Sequence, residues 1–236
     1  TIFAAMLLFV LGGVALGGVY YVMTQRTAVS TTSTVATSSI LFAESSVTLP
    51  LDNQAASDLK AQLAQVREKQ IGTLGSIMRI IPTITNAQTG TTRPATTAEF
   101  FSSIGAHPPD ELVRAFGSDF FFGIHVVDKN APVLIIPVVS YDHAFAGMLA
   151  WETSMNTDLS PTFTAVSPTK TGPEGTPIAR TFQDIVLRNY DTRALEDDTG
   201  QIMLYYSFPN PNLLVIAESP YSFAEILARL QANRQL

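Results

Sequence analysis

Residues 120–149 read FFFGIHVVDKNAPVLIIPVVSYDHAFAGML, and the change of period inside this stretch decides the fold. Phe120 to Val127 is an aromatic and β-branched run of strand length. Asp128-Lys129-Asn130-Ala131 interrupts it with turn residues, and Pro132 to Ser140 returns as a second strand. Ser140 or Asp142 then caps a helix to about Asn156, with Phe145, Met148, Leu149 and Trp151 on its inward face.

The same succession recurs downstream. Ile202 to Phe208, Pro209-Asn210-Pro211-Asn212 and Leu213 to Ala217 make a second hairpin, followed by a helix from Tyr221 to about Ala232. Phe145-Ala146-Gly147-Met148-Leu149 matches Phe223-Ala224-Glu225-Ile226-Leu227. An antiparallel sheet has one face to cover, and a helix returning from each hairpin covers it. The expected class is therefore α+β, a two-layer domain with an antiparallel sheet and helices, built from repeated strand-strand-helix units.

Outward from these units the chain is simpler. Leu59, Leu63 and Val66 recur at helical spacing in residues 52–70, and Ile40 to Phe42 and Val47 to Leu49 are short strand-like pieces. Ile77 to Ile84 reads as a strand that Pro82 places at an edge or a bulge. Thr97 to Ile104 and Pro108 to Phe116 read as short helices, the second opened by prolines and acids. Residues 160–180 hold four prolines and two glycines and read as a long surface loop. Ile185 begins a strand that continues to Leu195, with a turn at Glu196 to Gly200.

Ahead of this domain, Ile2 to Met23 is an apolar run without a charged side chain, long enough to span about 30 Å of hydrocarbon. Tyr20, Tyr21 and Arg26 suit an interface belt, and the run is longer than a signal-peptide core. Residues 1–23 thus read as a transmembrane helix in contact with membrane lipid. Residues 24–39, rich in Thr and Ser, read as a flexible stalk, and residues 40–236 as one extracytoplasmic domain. The stretch from Thr27 to Leu59 has no Lys or Arg, which places the amino terminus inside and the domain outside the cytoplasmic membrane. Phe9, Gly13 and Gly17 share a face with small-residue spacing, a candidate surface for anchor dimerisation.

Charge and composition exclude several classes. All 20 acids lie beyond Arg26 against 13 remaining bases, so there is no basic footprint for nucleic acid. Cysteine is absent, which removes disulfides, Cys-ligated metals and thiol nucleophiles. His107, His125 and His143 lack metal-ligand spacing, and Glu196-Asp197-Asp198 lacks the alternation of a calcium loop. No phosphate loop, dinucleotide glycine motif or nucleophile elbow occurs in the domain. No catalytic residue, cofactor or metal site is expected. Tyr141, Trp151 and Glu152 are the candidate interaction surface, although Trp151 is better explained as core, since Phe145, Met148 and Leu149 give its helix one apolar face.

The segment Phe145-Ala-Gly-Met-Leu-Ala-Trp-Glu152, continuing to Asp158-Leu-Ser-Pro161, resembles uncharacterised single-pass membrane-anchored envelope proteins of candidate-phyla bacteria, as does the pattern from Ile202 to Leu230. That resemblance implies a bacterial cell envelope and names no reaction. The expectation is a membrane-anchored protein-binding or scaffold domain, with an envelope protein partner or self-association. Its alternatives are an envelope enzyme such as a cell-wall hydrolase, or a secretion or pilus assembly component.

Overall fold

The computed structural model describes residues 40–127 and 129–233. The expected anchor, the stalk, Phe9, Gly13, Gly17 and the turn residue Asp128 lie outside the described residues. Among the described residues no helix is long and apolar enough to cross a membrane.

Among the described residues, eleven strands and five α-helices alternate irregularly. In order they are β1 (Ser45–Pro50), α1 (Ala56–Lys69), β2 (Ile77–Thr85), β3 (Thr92–Pro94), α2 (Thr97–Ser103) and α3 (Asp110–Ala115). Next come β4 (Phe121–Val126), β5 (Asn130–Pro137), α4 (Tyr141–Leu159), β6 (Thr169–Thr171) and β7 (Pro177–Ala179). β8 (Gln183–Leu187), β9 (Tyr190–Glu196), β10 (Ile202–Asn210), β11 (Leu213–Ala217) and α5 (Pro220–Asn233) complete the described domain.

Nine strands form one sheet in the order β1-β2-β4-β5-β11-β10-β9-β8, with β3 also paired to β2. The sheet is mixed, because β1 and β2 run parallel while the other pairs are antiparallel. A parallel pair needs a crossover, which α1 supplies. Of the two placements read from sequence, an edge or a bulge, Pro82 is not at an edge but at an interruption of the pairing. It falls between the part of β2 paired with β4 (Ile77–Ile80) and the part paired with β3 (Thr83–Thr85), where no ladder bond is lost.

Both hairpins form as expected, and β5 pairs with β11 at the centre of the sheet. Their helices, however, return to opposite faces. Adjacent residues of a strand point to opposite sides, and Tyr205 and Tyr206 of β10 show where each side leads. Tyr205 packs edge-on against Phe223 of α5, whereas Tyr206 hydrogen-bonds Glu152 of α4. The α4 side also holds Leu59 and Leu63 of α1, Phe100 and Phe101 of α2, and Leu112 of α3 in one core. The α5 side is a separate core of Phe121, Val133, Ile135, Val215, Phe223 and Ile226.

The two-layer expectation is corrected to three layers: four helices, a sheet, and α5. A two-fold normal to the sheet would put both helices on one face, so the two strand-strand-helix units are not related in that way. Residues 160–180 are also not a bare loop. β6 and β7 form a small hairpin there, and Arg180 ties it to the main sheet through Glu196 O and Asp198.

Helix α4 is apolar on both sides, which shifted its phase in the sequence reading. Its inward residues are Ala144, Met148, Trp151, Met155 and Leu159, while Phe145 and Leu149, expected inside, are 39% and 40% exposed. Gly147 lets α3 approach closely, since a Cβ there would lie 2.6 Å from Leu112 Cβ. Trp151 meets Phe101 edge-on at 5.4 Å and donates to Asp158 at 2.7 Å. Burial raises the Asp158 pKa, but hydrogen bonds from Trp151, the His107 amide and Ser154 outweigh it and hold the carboxyl below its ordinary value.

His125 of β4 lies on the α5 side, where Nδ1 is 2.9 Å from Ser222 Oγ and Nε2 has no partner among the described residues. Burial lowers its pKa, with Glu225 and Glu44 acting upward and Arg229 downward. The unfolded chain therefore takes up a proton that the folded chain resists. Above the ordinary value of 6.5 both states are neutral and stability is complete; below it, stability falls until the depressed folded value is passed. Urea unfolding at pH 7 and pH 5 should show a smaller loss on acidification in His125→Phe than in the parent. An equal loss in the two proteins would refute this role.

Candidate functional site

Charged side chains held in place by several elements line two of the clefts among the described residues. The first lies around the Arg67–Glu218 ion pair and measures about 510 Å³. Arg67 projects from α1, and its guanidinium serves the fold. Nε donates to Asn130 O at 2.7 Å, Nη1 to Thr162 O and Glu218 Oε1, and Nη2 to Thr164 Oγ1 and Glu218 Oε2. Glu218 also accepts from the Thr164 backbone amide. Burial outweighs the pull of Arg67 and raises the Glu218 pKa. All five guanidinium N–H groups are committed, so this pair staples α1, β5, the segment after α4 and the end of β11.

The second cleft measures about 580 Å³ and opens on the α4 side of β8, β9 and β10. Its wall is aromatic. Tyr141 and Phe145, one helical turn apart on the outward side of α4, stack at 5.9 Å, and Phe208 of β10 meets Tyr141 edge-on at 5.3 Å. Tyr141 is 40% exposed and Val186, also lining the cleft, 71%.

Its floor is polar and fixed. Arg193 of β9 makes a bidentate pair with Glu152 of α4, Nε to Oε1 and Nη2 to Oε2, both at 2.7 Å. Nη1 donates to Asp184 of β8 at 2.9 Å, and Tyr206 donates its hydroxyl to Glu152 Oε1 at 2.7 Å. The hydrogen bonds to Glu152 raise the Arg193 pKa, while burial first and Glu152 second raise that of Tyr206. Arg193 stays cationic and Tyr206 stays protonated across any physiological pH. Asp184 and Asp191 line the rim, so one fixed cation stands among three carboxylates.

Such an arrangement suits binding. Both Glu152 oxygens accept bonds from Arg193 and Asp184 accepts another, so these two carboxylates are held in ion pairs. Contacting rings with flanking carboxylates favour an apolar or aromatic group beside a cationic or hydrogen-bonding one. No family model, curated protein or solved structure matches the chain.

Of the residues singled out in the sequence, the structure brings Tyr141 to this cleft, sets Glu152 behind it as the partner of the lining residues Arg193 and Tyr206, and sends Trp151 away from it. Trp151 is 1% exposed and belongs to the core, because it lies on the inward side of α4. His107 stands 3.5 Å from Asp158 at the surface, and His143 is 2.8 Å from Ser140 Oγ, as a residue beside a helix start would be. Among the described residues no group of three or more potential metal ligands converges. Asp197 organises a turn, accepting from Thr199 and from the Gln201 amide.

Sequence reading missed Asp184, Arg193 and Phe208. The signal for Asp184 and Arg193 was present in QDIVLRNYDTRALE, where the two stand symmetrically about Arg188-Asn189. Read as one strand, this segment hid the hairpin that sets the two charges side by side.

Proposed function

We propose that this chain is a membrane-anchored domain, displayed outside the cytoplasmic membrane of a bacterial envelope, that binds a protein partner through the aromatic-walled cleft. Residues 1–23 are its anchor in this reading, with the amino terminus inside, and residues 24–39 its stalk. The observation that carries the reading is the second apolar side of α4. Large apolar side chains are ordinarily covered, yet Tyr141, Phe145 and Leu149 stand partly exposed together on that side of α4. Partly exposed aromatics next to a fixed arginine are also the residue types that anchor protein interfaces.

An envelope hydrolase ranks below this reading. Of the two acids on the rim, Asp184 is held by Arg193, which leaves Asp191 without a second unpaired carboxylate on that rim.

The test is capture of envelope proteins by the full chain in detergent, comparing the parent with Phe145→Asp. Because Phe145 is exposed, the variant should fold and melt like the parent. Loss of an interface anchor weakens binding by about 2 kcal/mol, roughly 30-fold in Kd. Recovery of the same partner at the same yield by both proteins would refute the cleft as the binding surface.

A further inference from the structure

We infer that β8 pairs with β8 of a second copy of this chain, antiparallel and centred on Ile185, so that two sheets join into one. This goes beyond the binding reading and does not depend on what the cleft holds.

The first ground is the composition of an edge. Among the described residues β8 pairs only with β9, in five unbroken register pairs without a bulge. Edge strands ordinarily guard their free backbone groups with proline, lysine or a bulge. β8 instead carries Ile185, Val186 and Leu187 in succession, the pattern of a strand with neighbours on both sides and cover on both faces. Val186 is 71% exposed.

The second ground is hydrogen-bond direction. Arg188 and Asn189 have φ of 55° and 66°, so β8 and β9 are joined by a two-residue turn of the left-handed type. Such a turn closes on a hydrogen-bonded pair, here Leu187 and Tyr190. Alternation then turns the backbone groups of Gln183, Ile185 and Leu187 toward β9, and those of Asp184 and Val186 outward. Asp184 and Val186 are thus the groups offered to a new strand.

The third ground is register. Facing residues must agree in hydrogen-bond phase, so the two-fold passes through a residue; Gln183 and Leu187, at the strand ends, would pair too little of β8, which leaves Asp184, Ile185 or Val186. Centring on Asp184 sets two carboxylates directly opposite each other, which destabilises. Centring on Val186 opposes Asp184 to Arg188, a turn residue that is not extended, and shortens the overlap. Centring on Ile185 pairs all five residues and places Asp184 opposite Val186 of the second copy. Exposed Arg188 of that copy then lies diagonal to Asp184, within reach of a long side chain. This charge complementarity, with an edge that fits itself over its full length, selects a second copy as the occupant.

The absence of cysteine makes the test direct. In Ile185→Cys the only thiol faces its own copy across a pair that is not hydrogen-bonded, with Cα atoms about 4.5 Å apart, inside the span of a disulfide. In Val186→Cys the two thiols are displaced along the strands beyond that span. The full chain in phospholipid vesicles, under mild oxidation, should form covalent dimer at least ten times faster as Ile185→Cys than as Val186→Cys or as the loop control Thr89→Cys. Adding Val186→Pro to Ile185→Cys removes an outward N–H, spares the β8–β9 ladder, and should return the rate to that of the control. Val186→Lys gives the same readout without altering the backbone, and circular dichroism verifies folding of each variant. Cross-linking of Ile185→Cys no faster than Thr89→Cys overturns the proposal, as does faster cross-linking at Val186 or a product containing a different protein. None of these failures bears on Phe145→Asp, so the cleft and the edge are judged separately.

Discussion

Arg67→Met is expected to cost about 3–5 kcal/mol of folding stability, because it leaves the Glu218 carboxylate buried without its cation. Side-chain exposures of 15% and 10% put both members of the pair out of bulk water. Burial already raises the Glu218 pKa with Arg67 present, and removing the guanidinium raises it further. An acid whose folded pKa is raised binds protons more tightly when folded, so the variant loses stability as pH rises above the ordinary carboxylate range. Acidification below that range should shrink its deficit. Glu218→Leu placed on Arg67→Met should recover much of the loss, since two apolar groups leave no unpaired charge. Urea unfolding of parent, single and double variants at two pH values measures all three effects. A single variant within about 1 kcal/mol of the parent would show that the staple is dispensable, since solvent-exposed pairs contribute at that level.

Trp151→Ala is the second large effect, at about 3–5 kcal/mol. The indole fills the space between α4 and α2, and its loss removes the edge-on contact with Phe101 and one of the bonds that keep Asp158 ionised. Trp151→Phe separates the two contributions. It keeps an aromatic ring against Phe101 but loses the N–H, so its cost should be clearly smaller. Trp151 is the only tryptophan, so unfolding is best followed by circular dichroism in these variants. Equal costs for Ala and Phe would mean that the hydrogen bond, not the filled volume, carries the effect.

Much of the fold was legible where turn residues cut apolar runs. The β4–β5 and β10–β11 hairpins were found because Asp-Lys-Asn and Pro-Asn-Pro-Asn stand between strands whose residues are β-branched or aromatic. The β8–β9 hairpin was lost because Arg188-Asn189 bends the chain without glycine or proline, and the cleft's charged floor was lost with it. Tyr141 and Glu152 were recognised as surface candidates, but the phase of α4 was not. A helix with Phe145 and Leu149 on one side and Met148 and Trp151 on the other has no single apolar stripe to orient it.

The third layer had a signal that fold-class reasoning overrode. Val133 to Ile136 and Leu213 to Ala217 are continuous apolar runs, and every residue in them is buried. Such runs mark strands covered on both faces, whereas a sheet with one wet face alternates. A hairpin's helix is free to return to either side, so the position of α5 depends on long-range packing that local periodicity does not encode.

The placement of α5 also sets an order of events during synthesis. A chain made from its amino end completes β4, β5, β10 and β11 before Phe223 and Ile226 exist. Until then Phe121, Val133, Ile135 and Val215 have no helix over them, although the opposite side can already close on α1 to α4. Sealing of that second side therefore waits for α5, and the nascent chain carries one apolar flank open until Phe223 and Ile226 are made.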